Sequence, residues 1–387
     1  MIRVLTLACL LMVCWSAHAV AESPVEAAEA RTRATFFQKS SAQYPIDQAI
    51  LDAKWQSPPF DQKPYTYTFA EMRQNWDHFM RGLKIPYPSP EYVKDRYTRY
   101  PQLMHTLGFQ DQDWEMHSLN ILETWQAYFR GDFEQSYRLG KKYGGYAMIP
   151  AIFGEILQGV YLARTNSEKR TFLQDAINEI RAFNDLMPIL PGDKEMSREY
   201  VLMRLGYSYA VGRLAEDAAV PSILANGFLP AVVNSATEGL AVDPDHPLTL
   251  AMNAAFDANV IRRVGKGVGR ITMDAKPVDS EKDFSHALEL VDDIAIVRYE
   301  YANSLLYIDK SDQVAKALEQ LNEAVQLKPG FSMEALDVLY ARKRLAEVRV
   351  WKDSGMSFGK FDRKRRKFME KNDANLYSVV SRPFLVN

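Results

Sequence analysis

Cysteine is nearly missing from this chain of 387 residues: only Cys9 and Cys14 occur, both inside one apolar run near the start. Beyond residue 14 there is therefore no disulfide staple, no thiol nucleophile and no cysteine-ligated zinc. Histidine is scarce as well. His78, His105, His117, His246 and His286 come after the first twenty residues, and no two stand at metal-ligand spacing, so no metal site is expected. An excess of one charge is absent too. The 47 Lys and Arg face 49 Asp and Glu, which argues against a nucleic-acid partner, because such proteins carry a marked positive surplus. After Trp15 no apolar run approaches the roughly 20 residues that span a bilayer, so no transmembrane segment is expected there. Catalytic motifs are missing. No serine sits in a Gly-x-Ser-x-Gly elbow, and adjacent carboxylates such as Asp292 and Asp293 would point about 100° apart on a helix. The expectation is a non-enzymatic protein with no cofactor and no catalytic residue.

The first residues carry the pattern of an export signal. Arg3 supplies a positive charge, Val4 to Trp15 an apolar core, and Ala17-His18-Ala19 a small-x-small site. A signal peptide over residues 1–19 is expected, cut after Ala19 or, second, after Ala21. A lipid-modified cysteine fits less well, since Cys14 comes after Val13 and Cys9 lies within the core. The compartment expected is the periplasm. The rest divides by texture into a Pro- and aromatic-rich helical extension (20–110), a uniformly helical body (111–350) and a basic C-terminal helix and tail (351–387).

The extension should hold a helix over about 22–39, then short helices broken by prolines between Pro45 and Pro101. Thr68 and Glu71 form a capping box predicting a helix to about Leu83, and Ser89-Pro90 opens another. So many aromatics need burial, so this region should wrap on the body. From about Trp114 to Val350 apolar residues recur at three- and four-residue spacing and strand alternation is absent. The fold class expected is all-α.

Within that body a spacing repeats. Ala317, Leu321, Ala324 and Pro329 run small, large, small and then a helix-ending proline, with a partner helix over about Ile294 to Tyr307. Ser280, Phe284, Ala287 and Asp292 repeat the offsets. Gly239 and Pro244 keep part of them, although Val232 and Ala236 depart. Leu205-Gly206-x-x-Tyr209 matches a first-helix pattern, and Gly131-Asp132-Phe133 with Ser136 matches a turn and second-helix start. Closely crossing helices need small residues at the contact and a large one beside it. On these residues the chain resembles the tetratricopeptide-repeat superfamily in degenerate form, and is similar in general look to exported bacterial repeat proteins. The resemblance implies an α-solenoid of about five helical hairpins, with insertions near 214–228 and 265–277.

A solenoid's concave face would take a protein or peptide, making the chain a scaffold or adaptor. Asn253, Asn259, Arg298 and Asn303 are the candidates to line it. An accessory protein of a transport system, binding a small ligand, is the alternative; an enclosed pocket built from the two insertions and the aromatic extension would favour it. A cell-envelope enzyme is a third reading and would need a carboxylate, a histidine and a cleft together. Arg262, Arg263, Lys266 and Arg270 flank Gly265, Gly267 and Gly269 at a predicted helix end. They make a candidate anion-binding loop, or else a C-cap glycine leading into a mobile insertion. The run Arg363-Lys364-Arg365-Arg366-Lys367 reads as a solvated helix face, with an anionic membrane surface as the functional alternative.

Overall fold

In the computed structural model, residues 48–99, 113–186, 197–215, 228–309 and 312–371 are described. The export signal, the helix expected over 22–39, most of the insertion near 214–228 and the final tail lie outside them. Among the described residues every regular element is helical and none is a strand.

The extension contributes α1 (Gln48–Asp52), α2 (Phe69–Phe79) and α3 (Pro90–Arg99). Thr68 and Glu71 form the expected reciprocal box, each side chain capping the other's backbone. α2 stops at Phe79, short of the expected Leu83, and Lys84 turns the chain in the left-handed region at φ 55°. Ser89 Oγ accepts from the Tyr92 amide at 3.1 Å and starts α3.

The body runs through α4 (Trp114–Arg130), α5 (Phe133–Tyr143), α6 (Met148–Leu157), α7 (Asn166–Leu186), α8 (Ser197–Ala215) and α9 (Phe228–Val242). It continues through α10 (Pro247–Val264), α11 (Lys266–Met273), α12 (Pro277–Leu290), α13 (Ala295–Ile308), α14 (Val314–Gln326), α15 (Ser332–Asp353) and α16 (Phe358–Lys371). Successive helices pack on one another for most of the chain, and in the later half alternate ones meet too, as α10 with α12 and α13 with α15. The small residues sit where the helices cross. Ala317, Leu321 and Ala324 are fully buried, as are Phe284 and Ala287. A Cβ on Gly140 would lie 2.3 Å from that of Ala151, so glycine is what lets α5 approach α6.

The chain also closes on itself. α15 packs on α4, and the turn leading into it is gripped by the extension. Phe331 stacks edgewise on Phe129 at 5.1 Å and on Phe79 at 5.9 Å, while Tyr67 donates to the Gly330 carbonyl at 2.5 Å. Arg81 joins Asp293 at 2.6 Å and Glu334 at 2.7 Å. Trp76 packs on Trp125 and Phe129, and with Phe79 and Tyr97 it belongs to the buried core, while Tyr67, Phe69, Tyr87 and Tyr92 pack partly buried against that core.

Candidate functional site

Beside this closure α6, α8, α10, α11, α13 and α15 line a partly open cavity of about 350 Å³, within the size range of ligand pockets. Its walls are mostly apolar, interrupted on α10 by Asn259, Arg262 and Arg263. α6 contributes Phe153, Ile156 and Leu157, and α10 contributes Ala251, Met252, Ala255 and Phe256. Leu83 enters from the extension and Met333 from α15. Val264 closes α10, Val268 and Met273 come from the second expected insertion, and Ala215 stands at the edge of the first. Such a surface holds water poorly, since a cavity water needs two or more polar partners.

One end is different. After α6 the helix widens to a π turn, Gln158–Leu162, of the kind found often at functional sites. Tyr161, on that turn, donates to Asp337 Oδ1 on α15 at 2.5 Å. Tyr209 on α8 stands 3.5 Å from the Tyr161 hydroxyl. Arg213, one turn later, lies over the Tyr209 ring at 4.8 Å and pairs with Glu300 of α13 at 2.6 Å. Asp337 is buried, and burial pushes its carboxyl up to about 8 despite the Tyr161 hydrogen bond, which acts the other way. Tyr161 is raised well above the usual phenol range by its own burial. Near neutral pH the end of the cavity is therefore a hydrogen-bonding set without net charge: a neutral carboxyl, two phenols and one internal ion pair.

The residues singled out in the sequence are scattered by this fold. Asn259, Arg262 and Arg263 line the cavity wall. Asn253 does not; its amide donates to Asp283 at 2.8 Å. Asn303 is 2% exposed and accepts from Arg344 at 2.7 Å. Arg298 lies on a shallow surface depression with Asp292 and Glu323, and it bonds Asp292, Gln320 and Glu323.

The anion-loop reading needs two corrections. Gly265 does cap α10, with φ +85°, but the chain beyond it is no loop: Lys266 opens the helix α11. Arg262 is held by Asp362 at 2.5 and 3.0 Å and lies over Tyr307 at 4.3 Å, while Lys266 pairs with Asp309. Two of the four cations are thus already paired with carboxylates of the chain. The run at 363–367 is corrected as well: Arg365 is 9% exposed and bonds Glu347 at 2.9 Å, so this face of α16 is partly interior.

Histidines stay apart from the cavity's polar end. His246 caps α10, its Nδ1 accepting from Thr249 N at 3.3 Å and its Nε2 donating to Leu83 O at 3.3 Å. Burial lowers it to about 4, so it is neutral. His286 faces Asp245 at 3.1 Å near the surface. Among the described residues no cluster of His, Cys, Asp or Glu could hold a metal, and no helix is long and apolar enough to cross a membrane.

Sequence reading missed Asp337, Tyr161, Arg213 and Glu300. One signal was there: Glu334, Asp337, Ala341, Arg344 and Val348 recur at three- and four-residue spacing, and all are buried. Charged residues inside an otherwise apolar stripe mark a helix whose buried face does more than pack. The fold and the cavity together define an all-helical protein with a partly open, mostly apolar chamber that has a hydrogen-bonding set at one end. Neither a family model nor a curated protein matches the chain.

Proposed function

We propose that this is an exported, non-enzymatic helical-repeat protein of tetratricopeptide-like build that carries a small apolar ligand in the chamber. The ligand class is an elongated apolar molecule with an uncharged hydrogen-bonding end, a hydroxyl or carbonyl, set against Tyr161, Tyr209 and Asp337. The observation that carries this reading is the chamber itself: about 350 Å³, mostly apolar along its walls, with the Tyr161, Tyr209 and Asp337 hydrogen-bonding set at one end. Its construction adds support, since the extension and the second insertion both contribute wall. A ligand in such a site gains from apolar burial along its length and takes its orientation from the few polar groups. The scaffold reading would instead use an open concave face; the convergence of α6, α8, α10 and α15 on one mostly apolar cavity supports a small ligand over a peptide. The N-terminal signal pattern supports a periplasmic location.

Gly212 offers the test. It lines the chamber on α8, and a Cβ built there meets nothing within 4 Å. Gly212→Phe should fill the space without clash. It should remove uptake of an apolar fluorescent probe while the protein keeps its thermal stability, because replacing a helix-interior glycine is itself worth up to about 1 kcal/mol. Probe uptake by the Phe variant equal to that of the wild type would refute the chamber as the binding site.

A further inference from the structure

Of the large hydrophobic side chains exposed among the described residues, Val268, Ile271 and Val278 fall within one short stretch, 268–278. Ile271 is 86% exposed and Val268 51%. Val268 also lines the chamber, so the mouth lies at α11: one side chain touches both the interior wall and solvent. The helix stands between two left-handed breaks, Gly265 at φ +85° and Asp274 at φ 51°, and Cβ atoms built on Gly265 or Gly267 would meet nothing within 4 Å. Between Asp257 and Asp274 the sequence has four cations, Arg262, Arg263, Lys266 and Arg270, and the exposed Asp274 at the end of α11 pairs with Lys276. Arg262 and Lys266 are offset by Asp362 and Asp309, and Arg270 is exposed on α11.

We propose that α11 is the surface by which the protein docks on an anionic lipid bilayer, with Ile271 and Val268 entering the headgroup layer and the chamber mouth facing the membrane. The ligand would then be a lipid-derived chain taken from, or delivered to, that surface, which rests on the ligand-binding reading above. Three features favour lipid over a protein occupant. The apolar area is a few side chains, far below the roughly 800 Å² per partner of a stable protein interface. Exposed apolar tips beside cations suit a membrane interface, which needs no matching shape and attracts basic groups. A mouth opening at the contact spares an apolar ligand any passage through water.

The experiment is co-sedimentation of the purified protein with phosphatidylcholine vesicles, with and without phosphatidylglycerol, alongside uptake of N-phenylnaphthylamine from solution. The wild type should sediment with the anionic vesicles, Ile271→Leu should match it, and Ile271→Glu should bind at least about tenfold more weakly. All three should take up the probe alike, which shows the Glu variant folded and its chamber intact. Absence of wild-type sedimentation, or equal sedimentation of Ile271→Glu, overturns the proposal. So does a wild-type dimer that Ile271→Glu dissociates, because the occupant would then be a second copy. Normal vesicle binding with no probe uptake would fell the chamber reading and leave the membrane contact standing.

Discussion

In the first turns of α15, Asp337 holds its carboxyl against Tyr161 at the edge of a cavity, and its hydrogen-bond partner is a neutral phenol. Seven residues further along the same helix, Arg344 bonds Asn303 and Glu347, and Glu347 also receives Arg365 from α16. Beside them Asp362 takes Arg262 and Arg366. Both clusters are buried and both contain charged residue types. In the seam each carboxylate is matched to guanidinium groups, so the charges stay and glue α16 to α10, α13 and α15. At the cavity the nearest guanidinium, that of Arg213, is taken by Glu300, so Asp337 holds its proton instead. A buried polar group is thus read by the hydrogen-bonding capacity left around it, and of these two clusters the cavity end is the one that keeps such capacity without charge.

The sharpest way to break this contrast is to remove the seam's shared acid. Glu347→Ala strands Arg344 and Arg365 in the interior, and losing one member of a buried ion pair costs about 3–5 kcal/mol. Urea unfolding should show a loss of that order, and probe uptake by the protein that stays folded should be unchanged. A loss below about 1 kcal/mol would mean the seam is solvated and the two clusters are alike.

Asp337 gives the next effect, and its sign is opposite to that of a paired acid. Its folded-state value lies near 8 against an ordinary 3.8, so between those values the folded state holds a proton that the unfolded chain gives up. Stability from this group is full below about pH 4, falls as pH rises towards 8, and levels off above it. Glu334 and Glu300 act with burial, while Tyr161 and Arg213 oppose it. Asp337→Asn should therefore show a flatter decline of urea midpoint across that window than the wild type. Identical pH profiles would place Asp337 in the ionised state and remove the distinction from the seam.

Legibility in the sequence splits along the same line. Helices, caps and crossing residues are local and periodic, so Thr68 with Glu71, Gly131, Ala317 and Phe284 were each legible from spacing. The Gly265 cap was legible too, but the helix after it was hidden by its two glycines, Gly267 and Gly269, whose weak intrinsic propensity is outweighed by packing such as that of Gly269 on Val260. The site was the hardest part. Asn259 and Asn303 drew notice by their position on helices and Arg262 as a cation beside glycines, and all three are tied into the seam, Asn303 by Arg344, Arg262 by Asp362 and Asn259 by Arg262. The chamber is lined by ordinary Leu, Ala, Phe and Met from α6, α8, α10 and α15, helices far apart in the chain that come together around it. No local pattern carries that convergence.

Arg298 supplies the smallest and most discriminating change. It sits outside both clusters, 14% exposed beside the half-exposed Glu323, and it holds the Asp292 carbonyl of the turn before α13. A pair open to water on one side contributes little, because solvent screens it and ordering two long side chains offsets the gain. Arg298→Ala should shift stability by no more than about 1 kcal/mol. Probe uptake should not change, since the residue is absent from the chamber wall. It does border the surface depression where an adaptor would seat a peptide. Crosslinking in intact cells from a tagged copy can separate the two readings: a protein partner captured by the wild type and lost from Arg298→Ala would move the functional surface out of the chamber and onto that depression.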